Sequence, residues 1–235
     1  MIIEKQNHSL PVINYDFTIT RKPSKHGSLL DGECLLAIIV GSSGSGKTNA
    51  LISLILHPNG LRFTNLYVFS KTLFQPLYQY LKAVLAPLKC IGYYEYDSGE
   101  NILPPTEAKI NSVMIFDDIV CDNQSVMKGY FCFGRHRNID SFYLSQTYSA
   151  IPKQLIRDNA NFLVLFKQDE TNLKHVYDDH VNVDMPYQKF KEMCSLCWKE
   201  PYGFLVINKN CELNNGRYRQ GFDRFIRLQQ RTRDS

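Results

Sequence analysis

The sequence predicts an α/β protein in which a mostly parallel central sheet carries helices on both faces. Three observations support this. Apolar runs of strand length alternate with stretches of helical pattern along the chain. The run Leu35–Val40 is continuously apolar, which suits a strand covered on both faces. A glycine-rich turn then joins that run directly to a helical stretch, the connection of a βα unit.

The elements follow in order. Tyr15–Thr20 alternates apolar and polar residues and predicts a strand with one wet face. RKPSKHGS, at 21–28, predicts a loop. After Leu35–Val40 a helix is expected over Lys47–Leu56, closed by HPNG at 57–60. Asn65–Phe69 predicts a strand, and Pro76 suits the first turn of a helix running to about Ala86. Ser112–Phe116 predicts a strand that ends in Asp117-Asp118, followed by a helix over 123–133 that Gly129 weakens. Strands are expected at Ser141–Ser145 and Asn161–Phe166, helices near 169–180 and 186–197, and a last strand at Gly203–Ile207. Ligands in such sheets sit at the carboxyl ends of the strands. Chemistry is therefore expected just after Val40, Phe69, Phe116 and Ser145.

Composition narrows the classes. The 235 residues are 44% hydrophobic and 21% charged, enough for a sizeable core without disulfides or metals. No apolar run reaches the roughly 18 residues of a spanning helix, so no membrane partner is expected. The N-terminal residues lack a basic-then-apolar leader pattern. Seven scattered cysteines suggest reduced thiols inside a cell. The net charge of +4 lies in residues 214–235, where six arginines face two acids, while residues 1–213 are neutral. This basic tail could bind a polyanion by counterion release, or could be a solvated terminus.

The most specific motif is GSSGSGKT at 41–48, which matches G-x-x-x-x-G-K-[ST] in full. Gly41, Gly44 and Gly46 permit backbone conformations that a Cβ resists, so that the amides of the loop, Ser42, Ser43 and Ser45 included, can turn onto a phosphate. The helix N-terminus adds free N–H groups and its dipole. Lys47 would reach the β- and γ-phosphates of a nucleotide, and Thr48 would offer a hydroxyl to Mg²⁺. The strand VMIFDD, at 113–118, ends in two acids. Asp117 is the expected Mg²⁺ carboxylate, and Asp118 the group that orients or deprotonates the attacking water. Gln146, after the next strand, is the candidate sensor of the γ-phosphate. Arg135 and Arg137 in GRHRN (134–138) are candidates to neutralise transition-state charge, in cis or from a neighbouring subunit, with Arg157 a further candidate. The implied cofactors are ATP and Mg²⁺.

Taken together, GSSGSGKT, VMIFDD, GRHRN and FYLSQTYSAIPKQLIRDNANFLVLFK (142–167) resemble the genome-packaging ATPases of poxviruses, giant viruses, virophages and Maverick/Polinton elements. These belong to the FtsK–HerA superfamily of P-loop ATPases. The resemblance covers about 35–208. It implies a RecA-like (ASCE) P-loop NTPase core with an added strand between the phosphate-loop and Mg²⁺ strands. It also implies a homo-oligomeric ring that hydrolyses ATP and drives double-stranded DNA into a preformed capsid. Lys47, Thr48, Asp117 and Gln146 carry over in the roles above, and Arg135 or Arg137 as a finger acting in trans. Asp118 departs from the wider superfamily, where glutamate is usual, although the viral branch often has DD. The domain organisation expected is an N-terminal strand or arm (1–33), the ATPase domain (34–213) and the basic tail (214–235). Capsid or portal proteins are the implied partners, at a viral assembly site inside the host cell.

Other features carry less. Cys194-x-x-Cys197 with His175 and His180 has the ligand types of a zinc site but not a standard spacing, and buried thiols are the alternative. Tyr93-Tyr94-Glu95-Tyr96 could pack, form an interface or stack on bases, and Lys71 and Lys128 could line a DNA pore. Two other functions compete with the motor. One is a small nucleoside or nucleotide kinase, whose arginine-rich lid the 217–233 cluster could imitate. The other is an assembly factor that binds ATP and scarcely turns it over.

Overall fold

The computed structural model describes residues 24–30, 34–97, 102–119 and 124–228. The strand expected at Tyr15–Thr20, most of the 1–33 arm and the last residues of the basic tail lie outside the described residues.

The sheet has nine strands: β1 (Leu36–Val40), β2 (Asn65–Ser70), β3 (Gly92–Tyr96), β4 (Ser112–Asp117), β5 (Ile139–Ser145), β6 (Phe162–Leu165), β7 (Leu205–Asn208), β8 (Tyr218–Gln220) and β9 (Arg224–Ile226). Their order is β3-β2-β4-β5-β1-β6-β7-β8-β9. The first six in that order pair in parallel and the last three antiparallel. β5 lies between β1 and β4, the added strand implied by the family resemblance.

Alternation along β1 explains the two covering layers. Leu36, Ile38 and Val40 face α3 (Gln124–Phe133), α4 (Glu170–His180) and α5 (Tyr187–Cys197) through Met127, Tyr130, Val176, Phe190 and Cys194. Leu35, Ala37 and Ile39 face α1 (Lys47–Leu56) and α2 (Pro76–Leu85) through Leu51, Ile55, Tyr78 and Leu81. Local signals place the helix starts. Pro76 opens α2, and the Asp169 side chain caps α4 by accepting from the Asn172 amide at 2.9 Å.

Three strands depart from the sequence expectation. β3 has no apolar run, yet Tyr94 stacks on Tyr67 (centroids 4.5 Å apart) and Tyr96 on Phe69 (4.7 Å), each directly across from its partner in register. The aromatic cluster is therefore edge-strand packing. β8 and β9 extend the sheet past the strand expected to be last, and they are built from the segment read as a basic tail. Their arginines explain the difference. Arg219 is 1% exposed and donates to the carbonyls of Gly216 (2.8 Å) and Leu29 (2.5 Å), while its guanidinium stacks on Phe225. Arg217 pairs with Asp184 at 2.5 Å. Within the segment, Arg224 and Arg227 are the exposed arginines among the described residues.

Candidate functional site

Parallel register brings the carboxyl ends of five strands to one edge. Val40 pairs with Ser145 and Leu165, Ser70 with Asp117, and Asp117 with Leu144. The cleft at that edge is lined by Ser43, Gly44, Lys47 and Thr48 of the 41–48 loop, by Asp117 and Asp118 after β4, and by Ser145 and Gln146 after β5. Thr72 and Gln75, between β2 and α2, complete it. Lys47, Thr48, Asp117, Asp118 and Gln146, scattered over 100 residues of sequence, thus meet in one place.

The loop has the form of an anion cradle. Gly44 and Gly46 hold left-handed backbones, at φ 73° and 102°, and Gly46 caps the start of α1. At Gly41 a Cβ would lie 2.6 Å from Phe166 Cβ, so the chain there passes too close to the end of β6 for any side chain. The Ser45 hydroxyl is buried with no hydrogen-bond partner among the described residues, an orphaned polar atom within the cradle. Lys47 Nζ donates to the loop's own carbonyls, Gly41 at 2.7 Å and Ser42 at 3.0 Å. Burial draws its pKa down, and the charges of Asp117 and Asp118 oppose that shift.

Asp117 is 7% exposed, and burial raises its pKa above the usual carboxylate range. A hydrogen bond from Tyr78 and the charge of Lys47 act the other way. Sequence reasoning did not single out Tyr78. It is fully buried on α2, and its hydroxyl donates to Asp117 Oδ2 at 2.5 Å while also hydrogen-bonding Thr48. The tyrosine thereby joins the two residues expected to hold Mg²⁺. Only its position in the first turn of α2 hints at this, because a buried tyrosine reads as core until its partner is known. Asp118 is exposed, with a left-handed backbone (φ 52°) unusual for a non-glycine residue at the end of a strand. Its carboxylate accepts from Gln146 Nε2 at 3.2 Å. Thr48 and Asp117 together offer two hard oxygen donors, which fits a Mg²⁺ ion whose other ligands come from phosphates and water.

The arginines lie elsewhere. Arg135 and Arg137 occupy a turn at 134–137 that precedes β5. Gln146 follows β5, so seven strand residues, about 20 Å, separate these arginines from the cleft of their own chain. Arg135 is exposed, whereas Arg137 is half-buried and donates to the Ala108 carbonyl at 3.0 Å. Arg157 is 9% exposed, sits 3.1 Å from Asp179 and stacks on the Tyr148 ring. It is held inside its own chain, which corrects its candidacy as a finger reaching a neighbour.

Cys194 and Cys197 are packed in the core with α5, and burial raises the Cys197 pKa to about 12 and pushes Cys194 up as well. His180 instead bonds the Tyr148 hydroxyl at 2.7 Å, with Lys209 Nζ 3.4 Å from its other ring nitrogen. Among the described residues no group of three or more His, Cys, Asp or Glu is placed to hold a metal ion. No helix among them is long and apolar enough to cross a membrane.

No protein-family model matches the sequence, and no curated protein is significantly similar to it. The fold is similar to that of the genome-packaging NTPase B204 from Sulfolobus turreted icosahedral virus 2. Against B204 in complex with sulfate the TM-score is 0.53 at 13% identity, spanning 77% of this chain and 94% of B204. Against B204 in complex with AMPPCP it is 0.50 at 12% identity, spanning 77% and 95%. At such identity the likeness is one of fold: the mostly parallel α/β core of a P-loop NTPase.

Proposed function

We propose that the chain is a Mg²⁺-dependent ATPase that works as a ring and drives double-stranded DNA into a viral capsid at an assembly site in the infected cell. The observation that carries the reading is the cleft itself, where the 41–48 cradle, Asp117-Asp118 and Gln146 converge from three parallel strands. The fold shared with B204, a packaging NTPase solved with a nucleotide analogue, supports the direction of the reading.

Each residue has a derivable part. The loop amides and Ser45 would bind the phosphates, and Lys47 would exchange its two carbonyl partners for β- and γ-phosphate oxygens. Thr48 and Asp117 would hold Mg²⁺, which when bound neutralises charge on the phosphates. Asp118 and Gln146, already bonded to each other, would fix a water in line with the γ-phosphorus. As the water oxygen bonds to phosphorus, the bridging P–O bond to ADP breaks and the water's proton passes to Asp118 or to the released phosphate. Since Arg135 and Arg137 are remote from their own cleft, an arginine would have to come from a neighbour. Arg135 is the better choice because it is exposed and Arg137 is tied to Ala108. The ring thus supplies the site's missing cation, and the capsid or portal is its docking partner.

The kinase reading is weakened, because Arg217 and Arg219, two arginines of the would-be lid, are engaged inside the chain. The test is phosphate release from ATP with Mg²⁺, with a nucleoside added in parallel. The reading expects ADP and free phosphate, and loss of turnover in Lys47→Ala. A phosphorylated nucleoside would contradict it.

A further inference from the structure

Sheet order gives the cleft a direction. Asp117, Asp118 and Gln146 end β4 and β5, on one flank of β1. A nucleotide whose terminal phosphate points to that flank must carry its nucleoside out on the other flank, beside β6 and β7. This step rests on the nucleotide reading above.

On that second flank stands Tyr202, three residues before β7 and 72% exposed. Its backbone is left-handed (φ 60°), a conformation that costs a tyrosine energy and that its surroundings must enforce. The ring lies against the phosphate loop: a Cβ at Gly46 would meet Tyr202 Cδ1 at 3.5 Å and Phe166 Cε1 at 3.5 Å. The turn that presents the ring is anchored on both sides. Trp198 Nε1 donates to the Leu165 carbonyl at 2.9 Å, and the Gly203 amide to the Glu200 carbonyl at 3.0 Å. A Cβ at Gly203 would collide with the Cys197 carbonyl, and Phe204 packs on Phe166 (5.1 Å) and Phe222 (4.8 Å). An exposed aromatic ring beside an anion cradle, on a turn anchored by its neighbours, contributes little to the core, but it offers a flat apolar surface where a base would emerge.

We propose that Tyr202 is the stacking platform for the nucleobase. A planar purine would lie on its outer face, and because every base has a π-face, this contact adds affinity with little choice between adenine and guanine. The platform acts on the base alone and leaves the phosphates to the loop.

The test compares binding of ATP with binding of inorganic tripolyphosphate, which has the phosphates and no base, by calorimetry on the full chain. Tyr202→Ala should weaken ATP about tenfold and leave tripolyphosphate unchanged, since one base stack is worth roughly that factor. Tyr202→Phe should keep the wild-type Kd for ATP. Tyr202→Gly, which removes the ring but suits the positive φ, should match the alanine variant. Equal weakening of both ligands, or no weakening of ATP, would overturn the proposal. A wild-type chain that binds neither ligand would overturn the nucleotide reading itself, which is a separate and recognisable result.

Discussion

Tyr78 ties the candidate magnesium residues together, and its single hydroxyl shows how much one buried donor can matter. Removing one partner of a buried hydrogen bond leaves the other group desolvated and unpaired. Tyr78→Phe would do this to Asp117, whose carboxylate already suffers from burial. The expected outcome is a several-fold higher Mg²⁺ requirement for turnover, read from a Mg²⁺ titration, with metal-free nucleotide binding unchanged. Equal loss of both would mean that Tyr78 merely packs. At this scale the cleft was largely legible in the sequence. Gln146, a lone polar residue after β5, gains its weight from the company of Lys47, Thr48, Asp117 and Asp118, which announce themselves through contiguous motifs. Tyr78 and Tyr202 do not, because their partners are fixed only when α2 and the turn before β7 pack.

Elements are held in place by buried polar groups, and these have pH consequences. His180, at the end of α4, is pulled down to about 3, mainly by burial and by the nearby Lys209. Tyr148, Asp179, Arg157 and Arg217 also face it. In the unfolded chain it titrates near 6.5. Between those values the unfolded state binds more protons, so stability is complete above about pH 6.5 and falls on acidification by about 1.4 kcal/mol per unit. His180→Gln should flatten that acid limb in denaturation midpoints measured from pH 7 to 5, and an unchanged limb would mean that other groups carry it. Elements were legible where an apolar run marked them, as in β1, β2, β4 and β5. β3, β8 and β9 were not. β3 reads Gly-Tyr-Tyr-Glu-Tyr with no aliphatic residue, and a buried arginine in β8 has the one-dimensional signature of a solvated charge.

At the scale of the whole molecule, the position of Arg135 makes a claim about assembly. Each chain carries a cleft at one end of β5 and an exposed arginine at the other, and under the proposed reading each is completed by a second copy. Lys47→Ala and Arg135→Ala should each be inactive alone. Mixed at equal amounts, they should recover about a quarter of wild-type turnover, because an intact cleft then meets an intact arginine at a fraction of interfaces. No recovery on mixing would place the arginine elsewhere. The proposed action in trans rests on where the two ends of β5 lie, whereas the motif GRHRN by itself is equally compatible with action in cis.

The measurement that bears most directly on the motor is steady-state ATP hydrolysis with and without long double-stranded DNA, with Lys47→Ala as control. The account predicts turnover that rises when DNA is added and vanishes in the variant. Robust turnover indifferent to DNA at any length would contradict it, leaving an ATPase of the same fold but not a machine that moves DNA.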